Sequence, residues 1–318
     1  MFTDSLREHI LFNPLRMDVN ELYIVSGYAT PNMASWYIKN IVRPADNPID
    51  IHLIVGMVPH DGLSVSVHNA FQELVSEDMP PSVRSFTCSY VCSDKAVHTK
   101  LYIWAKNGNP VLAFTGSANF TQSAFSNRHR EMMVECDPSV AMDYFREIEG
   151  DSIYCNHAEI EDHIVLHPTH AILDSENRPI SPIETGGIPS VTLSLLARGG
   201  ETGTRSGINW GQRDNRNPNE AYIALPANIA RSGFFPLDKA HFTVLTDDGH
   251  TLILRVEQDN DKAITTPLSN AQIGEYFRNR LGVPNGAYVW RQDLIDYGRT
   301  DVTFYKLDEE QFYMDFSV

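Results

Sequence analysis

Hydrophobic and polar positions give the chain two textures. In the first half, short apolar runs rich in β-branched residues alternate with stretches of helical periodicity. LYIVS at 22–26 and IHLIVGM at 51–57 read as buried strands. Between them, 32–41 has helical spacing and ends before Pro44. A second helical stretch, 63–75, is stopped by Pro80 and Pro81, and 85–92 reads as a strand. This β-α-β-α-β order predicts a mostly parallel sheet with helices packed on it. Over 97–104 the side chains alternate, so that His98, Lys100, Tyr102 and Trp104 share one face of a strand. Asn107-Gly108-Asn109-Pro110 is turn chemistry, which makes 111–115 the hairpin partner. A strand at 131–136 and a helix at 140–148 complete the pattern.

Over 174–190 (DSENRPISPIETGGIPS), Pro, Gly, Ser and charge replace periodicity. The expected organisation is a domain at 1–173, a linker at 174–190 and a domain at 191–318. Beyond the linker the pattern predicts mostly strands with short helices: 191–197, 221–225, 241–246, 252–258, 302–307 and 312–316, with a hairpin turn at Asp247-Asp248-Gly249. Short strands at this spacing predict a barrel or sandwich. Two long polar connections interrupt them, 198–219 and 259–270, and loops of that length in a compact domain are usually functional.

A chain of 318 residues, 42% hydrophobic, suits two packed domains. It carries no apolar run of transmembrane length and no secretory signal pattern at its start, so a cytoplasmic protein without a membrane partner is expected. Four cysteines fit neither a disulfide framework nor paired zinc spacing. The net charge of −16 repels phosphate at long range. It is uneven, however: between Arg198 and Arg231 five arginines face three acids. Such a patch suits one nucleic-acid site on a chain with little nonspecific affinity.

Candidate chemistry concentrates between Val97 and Glu135. Cutting a phosphodiester without a metal takes a nucleophile, positive charge or N–H donors at the non-bridging oxygens, and a proton for the leaving oxygen. His98 can attack as a neutral imidazole, and Lys100 sets an ammonium beside the same phosphate. Asn119 and Ser117 add donors, and Glu131 is expected to hold the His98 tautomer, with Glu135 as its substitute. His-x-Lys alone arises often by chance, and Gly-Ser-x-Asn alone is a common turn. Both in this order, each on or just after a strand, carry the assignment. No metal or other cofactor is called for. Cys155, His157, His163, His167 and His170 have residue types that permit zinc, but an interdomain or surface histidine group is the preferred reading.

His98-x-Lys100 followed by Gly116-Ser117-x-Asn119 resembles the signature of the phospholipase D superfamily. The run GSANFTQSAFSNRHRE is similar to its nuclease branch, above all to restriction endonucleases of the BfiI and NgoFVII type. The resemblance implies an α/β phospholipase D-like nuclease domain joined to a mostly-β DNA-binding pseudobarrel of the plant B-three type. It implies His98 as a nucleophile that forms a phosphohistidine, Lys100 and Asn119 as phosphate ligands, Ser117 as their support and Glu131 as the orienting acid. Two such motifs make one site, so a homodimer would bring a second His98 as general acid. In the second domain it implies two arms that grip duplex DNA. Arg205, Asn209, Trp210, Gln212, Arg213, Asn215 and Arg216 would belong to the first, and Gln258, Asp259, Asn260, Asp261 and Lys262 to the second. Some such nucleases act with a separate ATPase, and no GxxxxGK[ST] occurs in this chain. Two departures stand out. Ala105 occupies a position where superfamily members often carry an acid, and Glu131 lies twelve residues after Asn119, one more than in the small bacterial nucleases. The expected activity is that of a type II restriction endonuclease. The alternatives are a lipid phosphodiesterase, which would need a membrane-facing segment, and a non-catalytic DNA-binding protein, against which the intact His98, Lys100 and Asn119 speak.

Overall fold

A computed structural model of the chain describes residues 1–126, 129–171, 173 and 187–318. Its contacts divide it into two compact units, Met1–His167 and Pro168–Val318. The expected linker lies, over 174–186, outside the described residues.

The first unit opens with two helical turns, Arg7–Phe12 and Asn13–Arg16. Then come β1 (Glu21–Ser26), α1 (Pro31–Asn40), β2 (Ile49–Val55), the one-turn α2 (Val58–Asp61), β3 (Leu63–Ser64), α3 (Val65–Ser76) and β4 (Val83–Val91). β5 (Lys100–Lys106), β6 (Asn109–Gly116), the one-turn α4 (Gln122–Phe125), β7 (Met133–Cys136), α5 (Pro138–Gly150), β8 (Ser152–Tyr154), α6 (Ile160–His163) and β9 (Leu166–His167) complete it. The helix ends follow capping chemistry. Thr30 accepts from the Met33 N–H ahead of Pro31, and Asp137 accepts from the Ser139 and Val140 N–H groups ahead of Pro138.

The main sheet runs β7-β6-β5-β1-β2-β4-β8. β1–β2 and β2–β4 are parallel, whereas β1–β5, β5–β6, β6–β7 and β4–β8 are antiparallel. The sheet is therefore mixed rather than mostly parallel. Periodicity marks strands but not their direction. The Asn107-Gly108 turn, with φ of 50° and 77°, leaves β6 no choice but to return antiparallel to β5. This topology gathers strand ends on one side of the sheet. Ser26 at the end of β1 registers with Lys100 at the start of β5, and Gly116 at the end of β6 registers with Met133 at the start of β7.

The second unit contains β10 (Ser190–Ser194), β11 (Ile223–Ala224), α7 (Ala227–Ala230), β12 (His241–Thr246), β13 (Thr251–Glu257), β14 (Ala263–Thr265), α8 (Ala271–Leu281), α9 (Arg291–Tyr297), β15 (Asp301–Lys306) and β16 (Gln311–Asp315). Its sheet runs β10-β15-β16-β12-β13-β14-β11, antiparallel except for β12–β16. The edge strands β10 and β11 approach one another, so the sheet nearly closes into a barrel. Phe235, Phe242, Phe304 and Phe312 fill it, with Phe235 ring centroids 5.2–5.6 Å from the other three. The connection expected to be polar throughout, 259–270, in fact holds β14, whose three residues are buried.

Candidate active site and DNA-binding face

His98 sits just ahead of β5 and is exposed; Lys100, the first residue of β5, is buried. The Lys100 ammonium donates to the His98 carbonyl at 2.6 Å and lies 3.0 Å from His98 Nε2. Two glycines make room for this approach. A Cβ on Gly27 would stand 3.1 Å from His98 Cδ2, and one on Gly56 would stand 2.0 Å from the Val97 carbonyl oxygen. Burial lowers the Lys100 pKa, against the opposing pull of the Glu131 carboxylate.

Asn119 is carried by the loop after β6. Its Oδ1 accepts from the Tyr28 N–H at 3.1 Å, and Ser26 Oγ, which donates to the Tyr28 carbonyl at 2.6 Å, lies 3.4 Å from it. Ser26 Oγ also accepts from the Phe120 N–H at 2.9 Å, so the end of β1 fixes the position of the Asn119 loop and the Tyr28 N–H fixes the flip of its amide. With the oxygen so engaged, the Nδ2 group is the end left to meet an anion. Ser117 Oγ donates to Glu131 and accepts from the Met132 N–H at 3.0 Å. The carboxylate expected to orient His98 thus receives the Ser117 hydroxyl within this chain. Glu135 is exposed on β7, in register with Phe114. Ala105 is fully buried in β5, where an acid would need a partner.

In the second unit the arm residues separate into two groups. Asn209 is fully buried, and its amide clamps Val289 with two 2.9 Å bonds, Nδ2 to the carbonyl and N–H to Oδ1. Gln212 Nε2 donates to the Pro218 and Gly286 carbonyls, both at 3.1 Å. These two amides donate to backbone carbonyls at the base of the first arm, and Asn209 is shut away from solvent. Trp210 is half-buried against Tyr222, and the Arg216 guanidinium stacks on it at 3.9 Å while pairing with Glu220. Arg205, Arg213 and Asn215 are exposed; Arg213 Nε donates to the Arg205 carbonyl at 2.8 Å, which leaves the rest of its fork outward.

The second arm is a tight turn between β13 and β14. Gln258, Asn260 and Asp261 all take positive φ (72°, 59° and 55°). Gln258, Asp259, Asn260 and Lys262 are exposed, and Asp261 is half-buried. A cleft of about 690 Å³ separates the arms, lined among others by Ser194, Arg198, Ser206, Tyr222, Gln258 and Lys262.

Of the histidine group, His167 Nε2 lies 3.1 Å from the Asp61 carbonyl, His157 Nδ1 accepts from the Glu159 N–H, and Cys155 is buried. Among the described residues, no three His, Cys, Asp or Glu side chains gather at metal-binding range. Among them, too, no helix is long and apolar enough to cross a membrane.

Residues 4–162 match the family model for the NgoFVII restriction endonuclease N-terminal phospholipase D domain, and residues 183–308 match that for the NgoFVII C-terminal B3-like DNA-binding domain. The chain belongs to the NgoFVII restriction endonuclease family. As a member it is a restriction endonuclease of the phospholipase D superfamily, an enzyme that hydrolyses phosphodiester bonds and binds double-stranded DNA. No curated protein matches the chain. Among solved structures it is similar to a phospholipase D family member, Nuc from Salmonella typhimurium, at 14% identity and a TM-score of 0.33, over 46% of this chain and 89% of that one. It is also similar to NucT from Helicobacter pylori, at 14% identity and a TM-score of 0.32, over 48% and 96%. The assignment stands on the two family matches.

Motif reading missed Ser26, Tyr28 and Asp61 in this NgoFVII-family site. A signal for them existed. In sheets with parallel strands, ligands gather beyond the strands' carboxyl ends, where Ser26 closes β1 and Tyr28 and Asp61 follow β1 and β2.

Proposed function

We propose that the chain cuts double-stranded DNA at or near a specific site, without a metal, through a phosphohistidine on His98. The observation that carries this reading is the 3.0 Å approach of the Lys100 ammonium to His98 Nε2, at the strand ends beside Ser26 and with the Asn119 amide oxygen tied back. A lysine donating to Nε2 favours the tautomer with its proton on Nδ1, which leaves the Nε2 lone pair as the nucleophile. An incoming phosphate oxygen takes that donor from Nε2 and is held by Lys100 and Asn119. Nε2 then bonds to phosphorus as the P–O bond to the leaving oxygen breaks. The leaving oxygen takes a proton from His98 of a second copy in a homodimer. In the second step water bonds to phosphorus, its proton passes to that second imidazole, and the N–P bond breaks. Ser117 and Glu131 brace the rim of the site.

The arms supply the address. Arg205, Arg213 and Asn215 from the first arm, and Gln258, Asp259, Asn260 and Lys262 from the second, face the duplex. Arginine suits guanine edges or phosphate, amides suit adenine, and Asp259 suits cytosine N4. Asn209, Trp210, Gln212 and Arg216 shape the first arm, and Asp261 sets the turn of the second. The protein acts in the cytoplasm of a prokaryotic cell, alone or with a separate ATPase. The test is cleavage of plasmid DNA of known sequence in excess EDTA, with the ends mapped. Discrete fragments from the wild type and none from His98→Ala are expected. Loss of all cutting on chelation would overturn the metal-free mechanism.

A further inference from the structure

We propose that the cleft between the two arms contains a thymine subsite, in which Leu196, Ala224 and Pro226 receive the C5-methyl group of one thymine in the recognition sequence. The proposal rests on the reading, given above, that the arms face duplex DNA. Its ground is an apolar floor set between polar walls. The cleft, about 690 Å³, lies at the seam where β10 and β11 approach one another. Leu195 and Leu225 belong to the barrel core, 6% and 4% exposed. Their chain neighbours Leu196, Ala224 and Pro226 line the cleft, Leu196 half-buried and the other two exposed.

The main chain of this floor has its donors engaged. The Leu195 N–H donates to the Thr300 carbonyl at 3.0 Å and the Leu196 N–H to Ser194 Oγ at 3.1 Å. The Ala197 N–H donates to the Glu201 carbonyl and the Leu225 N–H to the Lys262 carbonyl, both at 2.8 Å. Pro226 has no N–H to offer. A polar base edge laid on these positions would leave water and find no main-chain donor, at a cost. A methyl group meets no such penalty there, and its burial removes apolar surface from water on both sides.

The walls select the occupant. Tyr222, packed against Trp210, stands on the side of the first arm, and Gln258 and Lys262 stand on the side of the second. Arg198 completes the rim. It is exposed in a turn closed by the 2.9 Å bond from the Gly200 N–H to the Ala197 carbonyl, and its guanidinium has no partner among the described residues. The cations and the amide on this rim suit a polyanion, and duplex DNA is what the domain binds. Of the four bases, only thymine presents an apolar group in the major groove. Ala224, the smallest of the three floor residues, leaves the room that a larger side chain would fill.

The experiment is equilibrium binding by the full chain carrying His98→Ala, so that binding is read apart from cutting. A binding-site selection gives the recognition sequence. Each of its thymines is then replaced singly by uracil, which lacks only the methyl group. At one position the affinity is expected to fall about threefold to tenfold, the worth of one buried methyl. At that position 5-methylcytosine should bind more tightly than cytosine by a similar factor. Ala224→Val, whose side chain fills the floor, should erase the difference between thymine and uracil, and a thermal melt checks that it folds. Equal affinity for thymine and uracil at every position would overturn the subsite, as would a recognition sequence without an A·T pair. A difference that persists in a folded Ala224→Val would overturn it too, because the methyl group is then met elsewhere. Arg198→Ala and Lys262→Ala test the underlying reading separately. Both should weaken binding to thymine and uracil duplexes alike. Binding unchanged in both would remove the cleft from the DNA interface, and the proposal with it.

Discussion

Replacing Lys100 by methionine separates the chemistry of the site from its stability. The two side chains have similar length, so the change removes the ammonium and keeps the packing stem. Lys100 is 6% exposed. Its lowered pKa says that burial costs the charged form more than Glu131 returns. The sign for stability follows. The folded protein holds this proton less tightly than the unfolded chain does, so the destabilising effect is fully present at neutral pH and is relieved only as pH rises through the lowered pKa toward the ordinary lysine value. A neutral side chain removes that cost at neutral pH. It also removes the 2.6 Å bond to the His98 carbonyl, worth about 1–2 kcal/mol. These effects oppose each other, and the net change in stability is expected within about 1 kcal/mol. Catalysis has no such offset. Losing one preorganised donor to a developing oxyanion costs about 3–4 kcal/mol, a fall of roughly 10²–10³ in rate. Single-turnover cleavage beside a thermal melt measures both. A Lys100→Met enzyme that cuts within tenfold of wild type would refute the role of the ammonium. A large loss of stability would refute the reading that its charge is held at a cost.

The arms yield two contrasting expectations. Asn209→Ala should cost about 2–4 kcal/mol of stability, because it strands the Val289 N–H and carbonyl, and it should leave base preference alone; denaturant unfolding and a binding-site selection would check both. Arg205→Ala and Arg213→Ala should each weaken specific binding by about 1–3 kcal/mol with the melt unchanged. Gel shifts at several salt concentrations would tell base contacts from phosphate contacts, and unchanged affinity would remove these residues from the interface.

Part of the way the candidate residues are presented was legible in the sequence because its constraints are local. The Asn-Gly turn and the Gly-Ser-x-Asn loop bring Ser117 and Asn119 to the end of β6, whereas the expected strand alternation reaches Lys100 but not His98, because β5 begins at Lys100. What stayed hidden depends on register between distant segments. Tyr28 and Asp61 meet only because β1 and β2 run parallel with Ser26 beside Val55. Glu131 turned toward Ser117 because the start of β7 is pinned opposite Gly116, where a Cβ would lie 2.0 Å from the Met132 carbonyl. Asn209 and Gln212 show a related limit. A polar residue in a polar loop reads as a ligand, yet this loop winds into a short helical turn whose amides fasten onto 286–289. Composition cannot distinguish an amide that reads a base from one that closes its own backbone.

The account depends on a covalent bond between His98 and phosphorus. The most direct measurement mixes the enzyme with end-labelled duplex in EDTA, quenches it in denaturant during the first turnover, and maps any protein–DNA adduct by peptide mass. The predicted result is a transient, acid-labile adduct on the peptide carrying His98, absent from His98→Ala. Full cutting with no adduct at any quench time would contradict it.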